Sequence, residues 1–500
     1  MSIIQEMSQK IHAKLNKHVA WLDVILLLLL TVYIVSGINL IPFHGDESAF
    51  IFMSEDYDKI VKQGEFRDVL FNSKGVSKQY IRLSTGSILP FSIGFARDIT
   101  NTQGPIQKWL WGASWEENIR QGNMPNPRLL LLARTCSAFM GALSILLFFM
   151  TAYQFFSSRS AAWLATLALA TQGDILVNFR RAMQEGPKFL FLILTLYIAS
   201  HILKDFQGMK SRRYPYVLLG VASGLTLAAK QDTAPMLIAI YLALALIPIW
   251  KKETARIILI NILYLGGATS LAYACFLAFM PVFWGWWESV LVLVGFVTIL
   301  FQGPIWKIDR AAKALAVAGC VLIIGMTIVT PTLWLRFPTP VTSMIETRKV
   351  LMGAQAGHYD NKNFGAIKDK MIFLLETTLS SNVMYMEAAS FDVPVVHEQI
   401  AVYEDSFLSG RTGSLLADGF IAILAIIGGW SLLRYFSEES LLIYSLLITS
   451  AVLLVALDPL PWQRYFLIIQ IPYALIAGAG ANQIWIWGKK FNQEPSKMKN

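Results

Sequence analysis

Twenty consecutive residues from Trp21 to Leu40 contain a single ionisable side chain, Asp23. Wound as a helix, such a run is as long as the hydrocarbon core of a bilayer is thick. Similar apolar stretches recur at 129–156, 160–178, 186–203, 215–231, 234–250, 257–283, 288–303, 314–333, 414–433, 440–457 and 465–487. In lipid, a spanning segment must satisfy its backbone polar groups internally, which a helix does. The pattern therefore predicts an all-α polytopic membrane protein with about 12 transmembrane helices. The first stretch is too long for the core of a signal peptide, and Ser36-Gly37-Ile38 is a poor cleavage site, so it reads as an uncleaved anchor.

Composition fits this reading. Hydrophobic residues make up 55% of the chain and charged ones 15%, against about 25% charged in soluble domains. The formal net charge of +9 is not gathered on one stripe, which excludes a nucleic-acid-binding surface. Its cations stand in short runs between apolar stretches. With twelve spans both termini share one side, and the loops of that side hold 19 Lys and Arg against seven Asp and Glu. By the positive-inside rule that side is cytoplasmic, and the protein is placed in a cell (inner) membrane. Cys136, Cys275 and Cys320 all lie in apolar stretches, which predicts no structural disulfide.

Two segments, 42–128 and 334–413, are too polar to span, and both fall on the non-cytoplasmic side as long loops bearing surface helices. In the first, Glu55 to Glu65 and Ile81 to Arg97 are patterned as amphipathic helices. The expected organisation is a cytoplasmic N-terminus (1–20), a membrane module (21–333) that includes 42–128, and the second loop (334–413). C-terminal transmembrane helices (414–487) and a cytoplasmic tail (488–500) follow. Trp284, Trp286, Trp287 and Trp462 sit at span ends, as in an aromatic belt.

Ionisable residues at span ends are costly and point to function. They recur on the non-cytoplasmic side. His44-Gly45-Asp46-Glu47 follows the first span almost at once. Asp46 could cap a surface helix, with Glu47 in its favourable first turn; alternatively it is a general base at the lipid boundary. Arg180-Arg181-Ala-Met-Gln-Glu185 joins the third and fourth spans, and arginine's planar fork suits a phosphate. Lys230-Gln-Asp232 interrupts two apolar stretches, where the lysine either snorkels or meets a phosphate. Arg464-Tyr465 opens the last span. One carboxylate pair and several cations thus share a depth and a face, an arrangement suited to a membrane-held phosphate leaving group.

In this pattern the chain resembles the GT-C superfamily of polyprenyl-phosphate-sugar glycosyltransferases, within it the protein O-mannosyltransferase and aminoarabinose-transferase-like branch. Four features carry the resemblance: Asp46-Glu47 after the first span; Arg181 to Glu185, where the family more often has Asp; Gly220, Gly224 and Lys230 in a Gly-x3-Gly-x5-Lys run; and Arg464-Tyr465 followed by Pro472. It covers the first ~240 residues and the last ~40. The resemblance implies an inverting transfer of a sugar from a polyprenyl-phosphate donor to a hydroxyl or amine of a glycan, lipid or protein acceptor, on the non-cytoplasmic face. Asp46 and Glu47 would be catalytic. Arg180, Arg181, Lys230 and Arg464 would hold the phosphate, with His44, Glu185 and Tyr465 in support. His358 and His397 lie in the second loop; the cofactor is unknown, a divalent metal is open, and none is assigned. A polytopic transporter of a lipid-linked or anionic solute accounts for the same topology, but it leaves two long loops and a carboxylate beside the first span unexplained.

Overall fold

The computed structural model describes residues 21–493 apart from 73, 75, 105–106, 208–213, 251–309, 335–338, 359–363, 365, 388 and 458–459. Within these residues the chain is helical and contains no strand. The expected spans at 257–283 and 288–303, together with Cys275 and the three tryptophans from 284 to 287, lie outside the described residues.

Helix α1 (Trp21–Asn39) leads into α2 (Gly45–Met53). The first polar segment continues through α3 (Val76–Ser84) and α4 (Ile88–Ile99). Next come α5 (Pro127–Phe156), α6 (Arg159–Ala170), α7 (Gly173–Arg180), α8 (Glu185–Gln207), α9 (Tyr214–Ala229), α10 (Ala234–Trp250) and α11 (Arg310–Val329). The second polar segment holds α12 (Thr339–His358), α13 (Ile367–Leu379) and α14 (Pro394–Glu404). The chain then folds into α15 (Leu415–Arg434), α16 (Glu438–Leu457) and α17 (Gln470–Gln493).

Six helices among the described residues are long and apolar enough to cross a membrane: Trp21–Asn39, Pro127–Phe156, Glu185–Lys204, Leu415–Arg434, Glu438–Ala456 and Gln463–Lys489. The bent pair α6 and α7 passes the same test as one broken span, and Tyr214–Ala229, Gln231–Ile247 and Ala314–Val329 are shorter apolar helices. Each expected stretch outside 251–309 thus coincides with an apolar helix or with the bent pair, although three fall short of a full crossing. The protein is an integral membrane protein.

Local sequence explains the ends of these helices. Asn126 accepts from the Leu129 amide ahead of Pro127, a residue suited to a first turn because it has no N–H to satisfy. Ser158 accepts from Ala161 at the start of α6. The 65° bend between α6 and α7 has a tertiary cause. The Arg411 amide donates to the Thr171 carbonyl, and the Gln172 amide group donates to the Ser380 carbonyl. The second polar segment is thereby pinned into the break.

The core is built mainly from α5 to α10 and α15 to α17, with Phe148, Phe179, Phe189, Leu219, Phe466 and Leu475 buried in it. Helix α9 packs along α11, and α15 along α17. Added side-chain atoms at Gly220 would meet the Ala318 carbonyl, and at Gly224 they would lie 2.6 Å from the Leu322 carbonyl and 2.8 Å from the Met326 nitrogen. The two glycines of the Gly-x3-Gly-x5-Lys run therefore let two backbones approach, as small residues do between membrane helices.

The segment from Ile81 to Arg97, expected as one amphipathic helix, is broken near Gly86. The Gln184 side chain accepts from the Gly86 amide at 3.0 Å and donates to its carbonyl at 2.6 Å, and the Ser87 amide donates to the Ala228 carbonyl. Three segments remote in sequence thus meet beside Lys230.

Candidate functional site

Asp46 and Glu47 are neighbours with opposite surroundings. The cap of α2 is His44, not Asp46: its Nδ1 accepts from the Asp46 amide at 3.2 Å, while Glu47 Oε2 accepts from the His44 amide at 3.0 Å. This reciprocal pair is a capping box. Its accepting Nδ1 leaves the imidazole proton on Nε2, which faces Glu387 Oε2 at 3.4 Å.

Glu47 is fully buried. Arg134 grips it with Nε on Oε1 and Nη2 on Oε2, both at 2.8 Å. The Ala182 amide donates to Oε1 at 2.8 Å, and Arg134 Nη1 goes on to the Ile38 and Ile41 carbonyls. Burial pushes the Glu47 carboxyl up, but Arg134 and the Ala182 amide hold it below the usual range. Both oxygens are occupied by the protein itself. Glu47 therefore ties α1, α2, α5 and the Arg181–Gln184 turn together, and the catalytic part expected for it does not fit this placement.

Asp46 faces a cavity of about 490 Å³. Its side chain is 26% exposed and is ion-paired with Arg464. Burial raises the carboxyl, yet Arg464, His44 and Lys230 outweigh it and hold Asp46 below its ordinary value. Arg464 Nη2 also reaches Glu387 Oε2 at 3.0 Å, so one guanidinium bridges two carboxylates. Burial works against Glu387 too, but Arg464 and His44 keep it low. The approach of the α2 start to the cavity wall depends on Gly45, where a Cβ would lie 2.7 Å from Trp109 Cδ1 and 3.0 Å from Trp111 Cζ2.

The cavity is lined also by Glu185, Lys230, Arg348, Trp462 and Tyr465. Lys230 Nζ lies 2.5 Å from Glu185 Oε1 and 3.3 Å from Asp232 Oδ2. Asp232 also pairs at 3.1 Å with the fully buried Lys188. The Tyr465 ring is flanked by Lys230 at 5.6 Å, Arg348 at 5.3 Å and Arg464 at 5.4 Å, and Trp462 stacks on Arg464 at 5.1 Å. Trp462 is thus a wall of the cavity, not a member of an aromatic belt.

The structure brings together Asp46, His44, Glu185, Lys230, Arg464 and Tyr465 of the expected site. It separates Arg180 and Arg181. Arg180 is completely buried and donates to the Ile34, Tyr33 and Leu408 carbonyls and to the Tyr403 hydroxyl. Arg181 is buried as well and donates to the Tyr385 carbonyl at 2.8 Å. Neither lines the cavity, because satisfying backbone carbonyls around the α7–α8 turn takes their donors inward. The phosphate role expected for these two does not fit their placement.

Sequence reasoning missed Glu387 and Arg348. Glu387 stands in Val383-Met-Tyr-Met-Glu387-Ala-Ala, an acid among apolar neighbours within a polar segment, and that context is a signal of burial. Arg348 follows Glu346 and precedes Lys349 on α12, where charges ordinarily mark a solvated face. Among the described residues no group of three or more His, Cys, Asp or Glu could hold a metal ion. His397 pairs with Asp392 at the surface.

Residues 108–299 match the family model of dolichyl-phosphate-mannose-protein mannosyltransferase. No curated protein matches the chain. Among solved structures, the chain is similar to the oligosaccharyltransferase of Archaeoglobus fulgidus, in complex with an inhibitory peptide and a dolichol-phosphate. The identity is 12% and the TM-score 0.47, over 92% of this chain and 50% of that one. It is also similar to the S. cerevisiae protein O-mannosyltransferase complex bound to the sugar donor, at 12% identity and TM-score 0.32, over 65% of this chain and 33% of that one. The chain spans about half the length of the archaeal enzyme. The family match takes in Lys108, Arg134, Glu185 and Lys230, whereas Asp46 and Arg464 lie beyond it.

Proposed function

We propose that this chain, which resembles the GT-C glycosyltransferases, moves a sugar from a polyprenyl-phosphate donor to an acceptor hydroxyl or amine at the non-cytoplasmic face, inverting the anomeric carbon. The observation that supports this best is a carboxylate, Asp46, that is paired with Arg464 and lines one cavity of about 490 Å³ together with Lys230.

The acceptor oxygen or nitrogen attacks the anomeric carbon as the bond from that carbon to the phosphate oxygen breaks. The electron pair leaves with the phosphate, and the acceptor proton passes to Asp46. A carboxylate held below its ordinary value is ionised throughout the neutral range, which is the form a base requires. It takes the proton as the new bond forms and the acceptor turns acidic. Lys230 and Arg464 keep their carboxylate partners and act through space on the charge that develops on the departing phosphate, a form of transition-state stabilisation. Arg464 also aims Asp46, with Glu387 on its other side. Trp109, Trp111 and Tyr465 supply aromatic surface for the sugar.

Asp46→Asn tests this reading. The amide keeps the shape and removes the base, while Arg464 retains Glu387 as its partner. Purified Asp46→Asn protein should insert and bind polyprenyl phosphate, yet transfer sugar at least about a hundredfold more slowly than wild type. Near-native transfer would remove Asp46 as the base and bring the transporter reading forward.

A further inference from the structure

Four cationic side chains line the cavity: Lys108, Lys230, Arg348 and Arg464. Two of them are already neutralised by carboxylates. Lys230 is paired with Glu185 and Asp232, and Arg464 with Asp46 and Glu387. A phosphate arriving at Arg464 competes with two carboxylates for its donors, and displacing Glu387 would leave that buried carboxylate without its cation, which is strongly unfavourable.

The other two carry no such debt. Lys108 Nζ donates to the Tyr80 hydroxyl at 3.1 Å and lies 4.5 Å over that ring. The Arg348 guanidinium lies 5.3 Å over the Tyr465 ring. Among the described residues neither has a carboxylate within ion-pair distance and none accepts a hydrogen bond from Arg348; Asp232, already paired with Lys188 and Lys230, feels the Arg348 charge only at longer range. A guanidinium held over an aromatic ring by a cation–π contact uses no N–H donor there, so its fork is left for two phosphate oxygens. Lys108 comes from the first polar segment and Arg348 from α12 of the second, so the two reach the cavity from separate parts of the chain.

We infer that Arg348, assisted by Lys108, is the residue that binds the phosphate of a lipid donor in this cavity, while Arg464 holds Asp46 and Glu387 in place. This rests on the transferase reading for the identity of the donor, but not for the presence of a lipid phosphate. Arg348 supplies two charge-assisted hydrogen bonds, and Lys108 a point charge.

The test uses the full chain in nanodiscs, with geranylgeranyl phosphate as the probe and tryptophan fluorescence as the readout, since Trp109, Trp111 and Trp462 line the cavity. Arg348→Ala should raise the Kd at least about tenfold, the size expected for loss of a charge-assisted bond. Arg348→Lys should recover part of the loss, and Lys108→Ala should show a smaller one. Geranylgeraniol, which lacks the phosphate, should bind wild type and variants alike. Inorganic phosphate at the same concentration should not displace the lipid. An unchanged Kd in both Arg348 variants, with unfolding temperatures near that of wild type, would overturn the assignment. So would inorganic phosphate competing as well as the lipid. The two readings fail separately. Binding through Arg348 without sugar transfer would sink the transferase and leave this inference standing. Full transfer by Arg348→Ala at unchanged donor KM would do the reverse.

Discussion

Two adjacent carboxylates carry different burdens because one is enclosed by donors and the other looks onto a cavity. Glu47 meets four donors and no ligand space; Asp46 meets one guanidinium and a cavity. Glu47→Gln leaves Arg134 buried without a counter-charge, which should cost about 3–5 kcal/mol and lower the thermal unfolding temperature of detergent-purified protein. Asp46→Asn should move that temperature far less, and equal shifts in the two variants would contradict this division. Acid has the same target. Asp46, Glu47 and Glu387 all titrate below their ordinary values when folded, so the unfolded chain takes up protons first. Their contribution is fully present above the unfolded value of about 4 and is lost as pH falls through the lower folded value. Unfolding temperature measured from neutral pH downward should therefore drop in that window, and less steeply in Glu47→Gln. Residue types at span ends made Asp46, Lys230 and Arg464 legible. Arg180 and Arg181 show the limit of such reasoning, since an arginine that satisfies backbone carbonyls and one that awaits a phosphate look the same until the fold decides which way each points.

At the scale of the element, the apolar stretches were legible because a bilayer sets both the length and the polarity of what may cross it. The interruptions were not. Gly86 breaks an amphipathic stretch because Gln184 and Ala228 take up the local backbone groups, and the α6–α7 bend is held by Ser380 and Arg411. These partners are 98 to 240 residues away in sequence. Glycines 220 and 224 drew notice for their spacing to Lys230, and their physical work lies in the contact of α9 with α11. Gly224→Val should overpack that contact by about 1–3 kcal/mol. Because Lys230 follows the end of α9, donor binding should weaken along with the unfolding temperature. Unfolding at the wild-type temperature with native donor affinity would show the approach of the two helices to be dispensable.

For the whole molecule, both polar segments converge on one cavity: the first brings Asp46, Lys108 and Trp109, the second Arg348, with Glu387 behind Arg464. They must therefore lie on one side of the membrane. Reporter fusions within 60–120 and within 345–405 should report the same compartment, and fusions after 20 and after 487 the opposite one. Disagreement between the two polar segments would be incompatible with the cavity. The ion pair between Asp46 and Arg464 joins positions 418 residues apart. Its consequence lies in biosynthesis. Glu47 meets Arg134 87 residues on, whereas Asp46 waits 418 residues for its guanidinium. Until then Asp46 has only His44 and Lys230 of the cations that hold it low. The pairing that closes this corner of the cavity therefore forms only after Arg464 has joined the chain.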